Sequence, residues 1–155
     1  MELESNVENV VIESNDTNTS VSQSPYILEI KTVQSAAFRI LIEALKEILT
    51  DANMEFDSSG LKVIAMDNSH TVLVHLKLEA GNFEQYYCPT RQILGISMLN
   101  LFKLIKTMGN NDTLTLYIEK DDVNRLGIRI ENSDKNSITN FKLNLMDLQR
   151  RLIPK

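Results

Sequence analysis

Cysteine is nearly absent from this chain: Cys88 is the single one, which excludes an internal disulfide and any cysteine-based zinc site. Its expected state is a buried, inert thiol, because free cysteine behaves as a small apolar residue. Long apolar runs are missing too. No stretch of about 18 apolar residues can span a bilayer, and the N-terminus lacks the basic-then-apolar order of a secretory signal. The expectation is an intracellular protein with no membrane partner. A glycine-rich phosphate loop, an H-E-x-x-H helix and a G-x-S-x-G elbow are also missing. Asp67, Ser69 and His70 stand together and offer acid–base groups. Three polar residues between two strand patterns are accounted for by a turn, so the reading is not an enzyme. His75 falls on the polar side of a strand alternation, an ordinary surface position. No metal and no cofactor are expected.

What the chain does have is 155 residues, 43% of them hydrophobic, enough for one domain with a real core. The formal net charge of −5 is unevenly placed: Glu2, Glu4, Glu8, Glu13 and Asp16 all precede Tyr26, and without them the total is zero. What matters for a nucleic-acid partner is therefore whether the cations gather on one face. Residues 1–25 are acidic and rich in Ser, Asn and Thr, with Val10, Val11 and Ile12 as their apolar cluster. They read as a disordered acidic tail, the alternative being a short partner-binding segment centred on that cluster.

The order of the body is set by a helix over Ser35 to Thr50. Phe38, Leu41, Ile42, Leu45, Ile48 and Leu49 form one stripe of 3.6-residue period, with Arg39, Glu43, Lys46 and Glu47 on the other face. Ser35 is its candidate N-cap. A second helix over Met98 to Met108 follows the candidate cap Ser97, buries Leu101, Phe102 and Ile105, turns Lys103 and Lys106 outward and closes at Gly109. Strand patterns precede and follow each helix. YILEIKT, ANMEFDS, GLKVIAM and TVLVHLKL surround the first, with turns at Asp57-Ser58-Ser59-Gly60 and Asp67-Asn68-Ser69. NFEQYYC, a linking segment Pro89 to Ile96, then TLTLYIE, RLGIRIE and SITNFKLN surround the second. The expected fold is α+β: two β-α-β-β-β halves, each helix lying across its own strands, with both helices packed on one side of antiparallel sheets. Arg39, Lys46, Lys103 and Lys106 then share an outer face suited to a phosphate backbone. Solvated helix faces carry lysines routinely, so these charges alone do not establish DNA as the partner. Neither helix starts with the Arg, Asn and Gln cluster of a base reader, so any DNA contact is expected to be non-specific.

Together, EALKEILTDANMEFDSSGLKVIAMDNSHTVLVHLKL, the YYC that follows, the glycine of LGIS, LIKTMGNNDTLTL and KLNLMDL resemble the N-terminal domain of proliferating cell nuclear antigen, the eukaryotic DNA sliding clamp. The resemblance covers about Tyr26 to Pro154. It implies a DNA-clamp (processivity-fold) domain over residues 26–148 and the start of an interdomain connector over 149–155. Asp147 and Leu148 begin that connector, which is about two residues shorter before its Ile-Pro than the resemblance leads one to expect. A family subunit has two such domains and three subunits close a ring, whereas this sequence supplies one domain. The implied DNA-contacting positions are Lys31, Arg39, Lys46, Lys103 and Lys106, with Ile40 where the family is usually basic. The implied client-peptide pocket is Met66, His70, Leu73, Leu152, Ile153 and Pro154, with Thr71 where the family is usually aliphatic. The implied subunit edge is the strand around Ile138, Phe141 and Leu143, and the strand 71–78 is the other edge. Implied partners are double-stranded DNA, a DNA polymerase, the clamp loader, proteins with a clamp-binding peptide motif, and other clamp domains. The implied location is the nucleus, or the site of DNA replication if the source is viral. The alternative function is a monomeric DNA-binding processivity factor, or a truncated clamp domain that does not form rings.

Overall fold

In a computed structural model, residues 24–146 are described. Residues 1–23, with Val10 to Ile12, lie outside them, as do Asp147 and Leu148 and the expected connector 149–155 with Leu152, Ile153 and Pro154.

The chain runs β1 (Tyr26–Thr32), α1 (Ser35–Ile48), β2 (Asp51–Asp57), β3 (Gly60–Met66) and β4 (Leu73–Glu79). It continues through a 3-10 turn at Ala80–Asn82 to β5 (Gln85–Tyr87), β6 (Gln92–Ser97), α2 (Met98–Ile105), β7 (Thr113–Glu119), β8 (Asp122–Asn132) and β9 (Ser137–Asn144). Two antiparallel sheets result, one ordered β5-β1-β7-β8-β9 and the other β4-β3-β2-β6. Both helices contribute to the core that the sheets share, through Ile42, Leu45, Leu101 and Ile105 beside Ile30, Phe56, Leu116 and Ile128.

The halves are β1-α1-β2-β3-β4 and β6-α2-β7-β8-β9, and each gives its first strand to the other. β1 pairs with β7, with Ile30 opposite Leu116, while β6 pairs with β2, with Leu94 opposite Met54. The two halves are thereby interlocked, and α2 packs on β6, β2 and β9 rather than on its own strands alone. This refines the expectation that each helix lies across its own strands, since α2 also meets β2 of the other half. It also corrects the linking segment Pro89 to Ile96, most of which is β6. Leu94, Gly95 and Ile96 are all buried, so the strand lacks the polar alternation by which half-exposed strands are recognised. The strand expected over NFEQYYC shrinks to the three residues of β5.

Local details differ as well. Helix α1 ends at Ile48, because Leu49 turns to extended backbone (φ −124°, ψ 130°) and is buried while Ile48 stays exposed. Gln34 holds the N-cap position without a side-chain cap, and Ser35 is the first helical residue, fully buried. Ser97 does cap α2, accepting from the Asn100 amide at 3.3 Å. That helix ends at Ile105, and Gly109 lies beyond its end rather than closing it. Between β2 and β3, Asp57 Oδ1 accepts from the Ser59 amide (2.9 Å), the Ser59 hydroxyl (2.7 Å) and the Gly60 amide (3.2 Å). Those bonds, the hydroxyl first, hold its carboxyl below the usual carboxylate range.

Cys88 is buried and its thiol donates to the Thr90 carbonyl at 3.2 Å. Burial pushes its pKa up to about 11, which removes the thiolate needed for reactivity. Among the described residues no helix is long and apolar enough to cross a membrane.

Candidate nucleic-acid interface and peptide groove

Arg39 and Lys46 are seven residues apart and share one flank of α1, while Phe102 and Lys106 are four apart and share one flank of α2. The flanks face each other: Lys46 Nζ lies 5.0 Å from the centre of the Phe102 ring, and Arg39 donates to the Met108 carbonyl just beyond α2. The expected broad basic face is therefore a seam between the helices, with Arg39 and Lys46 on one side and Lys106 on the other. Lys46 also pairs with Glu47 at 2.6 Å, a bond that draws the Glu47 carboxyl below its ordinary range. Lys103 and Lys106 are exposed. The outward side of α1 carries Ile40 (60% exposed), Glu43, Ala44 and Glu47, so the positive surface leans toward α2.

Lys31 does not join this seam. Leu28, Ile30 and Thr32 of β1 are buried toward the core that the helices share, so alternation turns Lys31 to the opposite face of the sheet, beside Gln85 and Thr115. The sequence places it close to Arg39, and the strand's period of two sends it to the far side.

Met66, His70 and Leu73 come together as expected and line a groove of about 460 Å³ with Asp51, Ile64 and Asn68. Met66 pairs with Leu73 across β3 and β4, on the sheet face away from the core. Ile64 was not among the sequence-derived pocket residues. Its signal was available, because in GLKVIAM the alternation that buries Leu61 and Val63 sends Lys62, Ile64 and Met66 to one outer face.

The groove's rim is a turn organised by one carboxylate. Asp67 accepts from the Thr71 and Val72 amides (2.9 and 3.0 Å) and from the Ser69 hydroxyl (2.9 Å). The Val72 amide, and after it Ser69, lowers its pKa below the usual carboxylate value. His70 sits in the left-handed region (φ 62°), and Asn68 ties the turn to the end of α1 by donating to the Ile48 carbonyl at 2.8 Å and accepting from the Thr50 amide at 2.9 Å. The Asp67 carboxylate that an acid–base reading needs is thus engaged by its own turn. Among the described residues no cluster of three or more His, Cys, Asp or Glu side chains is placed to hold a metal ion.

Strands β9 and β4 each end a sheet and have one unpaired edge among the described residues. On β9, Phe141 and Leu143 sit opposite Ile128 and Leu126 and lean on the core, whereas Ile138, opposite Glu131, lies on the other face and is 63% exposed. The three edge residues are therefore split between two faces of one strand.

Residues 27–151 match the family described as "Proliferating cell nuclear antigen, N-terminal domain". The chain is similar to "Probable DNA polymerase sliding clamp 1" of Paramecium bursaria Chlorella virus 1, 35% identical over 122 residues that cover 79% of this chain and 47% of the relative. It is similar in the same degree to "Proliferating cell nuclear antigen 1" of Plasmodium falciparum isolates K1 and 3D7, 35% identical over 123 residues that cover 79% of this chain and 44% of theirs. The chain spans about half the length of these curated relatives.

Proposed function

Because this chain belongs to the proliferating cell nuclear antigen family, we propose that it is a clamp domain that holds duplex DNA without sequence preference and docks client peptides. It supports the processivity of a DNA polymerase and has no chemistry of its own. The observation that carries the reading is the basic surface along the seam and α2, where Lys103 stands exposed on a helix with no acidic residue and Lys106 stands exposed at that helix's C-cap. Lysines on a helix surface neutralise phosphates and read no bases. The domain occupies residues 26–148, with the connector starting at 149, and its partners are duplex DNA, the polymerase, the clamp loader and clamp-binding peptide motifs. It works in the nucleus, or where replication occurs if the source is viral.

The client site is the Met66–His70–Leu73 groove, and the resemblance assigns Leu152, Ile153 and Pro154, outside the described residues, to the same site. Leu73 (62% exposed), Ile64 (47%) and Met66 (44%) leave an apolar floor in solvent that suits an apolar peptide anchor. Titrating a labelled clamp-binding peptide should show weak binding that drops about tenfold or more in Met66→Ala/Leu73→Ala, the cost of removing two apolar floor side chains that the peptide would cover. Equal affinity for the double variant would put the site elsewhere.

Assembly follows from the bare edges, since an unpaired edge strand invites another chain. β4 and β9 differ, so contacts between copies are head-to-tail and close into a ring only if the rotation permits. The expected state of this chain is a monomer that self-associates with concentration, less so after Phe141→Ala. Sedimentation velocity across a concentration series is the check, and one discrete closed oligomer at the lowest concentrations would overturn it.

A further inference from the structure

The segment after α2 is gripped from α1. A helix end leaves carbonyls without intrahelical donors, and here two donors from the start of α1 reach the chain just past that end. Arg39 Nη1 donates to the Met108 carbonyl, and the fully buried Ser35 hydroxyl donates to the Gly109 carbonyl at 3.0 Å. On the other side the Gly109 amide donates to Asp112 Oδ2 at 2.7 Å, and Asn132 Nδ2 donates to Asp112 Oδ1 at 2.7 Å. The Asp112 carboxylate is buried between these two donors. The turn is thus fastened to α1 through its carbonyls and to β8 through its amide.

We propose that Arg39 is a positioning residue for the basic seam rather than a phosphate contact. Its guanidinium, together with Ser35, fixes the end of α2 against α1 and so sets where Lys103 and Lys106 stand. The Arg39–Met108 bond is partly buried, so a guanidinium that swung out to a phosphate would leave a half-covered carbonyl without its protein donor, an arrangement that folded proteins disfavour. Lys106 lies two residues before the gripped carbonyl, close enough for any slack there to move it. This inference rests on the DNA reading above.

The test compares Ser35→Ala, Arg39→Gln and Arg39→Met with the unaltered chain. Affinity for a short mixed-sequence duplex is measured across a salt series, and hydrogen exchange is followed at the Gly109 amide. Gln keeps a donor without the charge, Met keeps neither, and Ser35→Ala removes a donor while leaving the charge alone. If Arg39 positions, all three keep the salt slope, Ser35→Ala and Arg39→Met bind severalfold more weakly with faster exchange at Gly109, and Arg39→Gln stays nearer to the unaltered chain in both readouts. If Arg39 contacts a phosphate, Arg39→Gln and Arg39→Met each lose about 0.9 of slope, and the proposal is overturned. It is also overturned if exchange at Gly109 speeds up while affinity holds. No duplex binding by the unaltered chain would remove the DNA reading and this inference with it, whereas binding with either overturning pattern removes this inference alone.

Discussion

Replacing Gly60 with alanine is expected to cost about 3 kcal/mol or more of stability. Gly60 opens β3 at φ +146°, a region that side-chain-bearing residues rarely enter. A Cβ there would stand 2.1 Å from the Leu78 carbonyl oxygen and 3.0 Å from the Ala80 amide nitrogen, both backbone atoms. Gly60 pairs with Asp57 on one side and Glu79 on the other, so relief would need β3 to draw away from β4, against its pairing with β2. The measurement is thermal or urea unfolding, with a fall in Tm of roughly 10 °C for a domain of this size. Gly81→Ala is the control, since a Cβ there meets nothing within 4 Å. A Gly60→Ala protein melting within about 2 °C of the unaltered chain would contradict the close approach.

The second large effect is on binding. In Lys103→Ala/Lys106→Ala the salt slope of duplex affinity should fall by about 1.8, at about 0.9 per phosphate contact, with a loss of more than tenfold at low salt. The loss should be the same for mixed and A·T-rich duplexes, because phosphate contacts carry no base readout. These two lysines are chosen because they are exposed, whereas Lys46 already lies over the Phe102 ring and bonds Glu47. Lys46→Ala should accordingly move the slope less. An unchanged slope in the double variant would place DNA, if it binds, on another surface.

The periodicities of the chain were enough to identify both helices, the Ser97 cap, the Asp57–Gly60 turn and most strands, since each depends on residues a few positions apart. Exposure on one face made those patterns visible: β2 alternates buried and half-buried residues along its whole length. Where burial covers both faces, as in β6, the polar half of the alternation disappears and so does the signal. Met66, His70 and Leu73 of the groove are positions that the resemblance implies, whereas Ile64 beside them is legible only in the alternation of β3.

Sequence alone determined both helices, most of the strands, their apolar faces and which residues carry charge, because covalent spacing and local backbone geometry set them. Tertiary structure decided which of those charges meet. Lys31 and Arg39 are eight positions apart, yet strand alternation and core packing put them on opposite sides of a sheet. Arg39 and Met108 are 69 positions apart, yet the exchange of β1 and β6 between the halves brings α1 against the end of α2. Ser35, a good cap by residue type, is drawn into the core instead, because the Gly109 carbonyl, 74 positions away, lies there as an acceptor. Such long-range pairings depend on how the two sheets close over one core, and no local pattern in the chain encodes that.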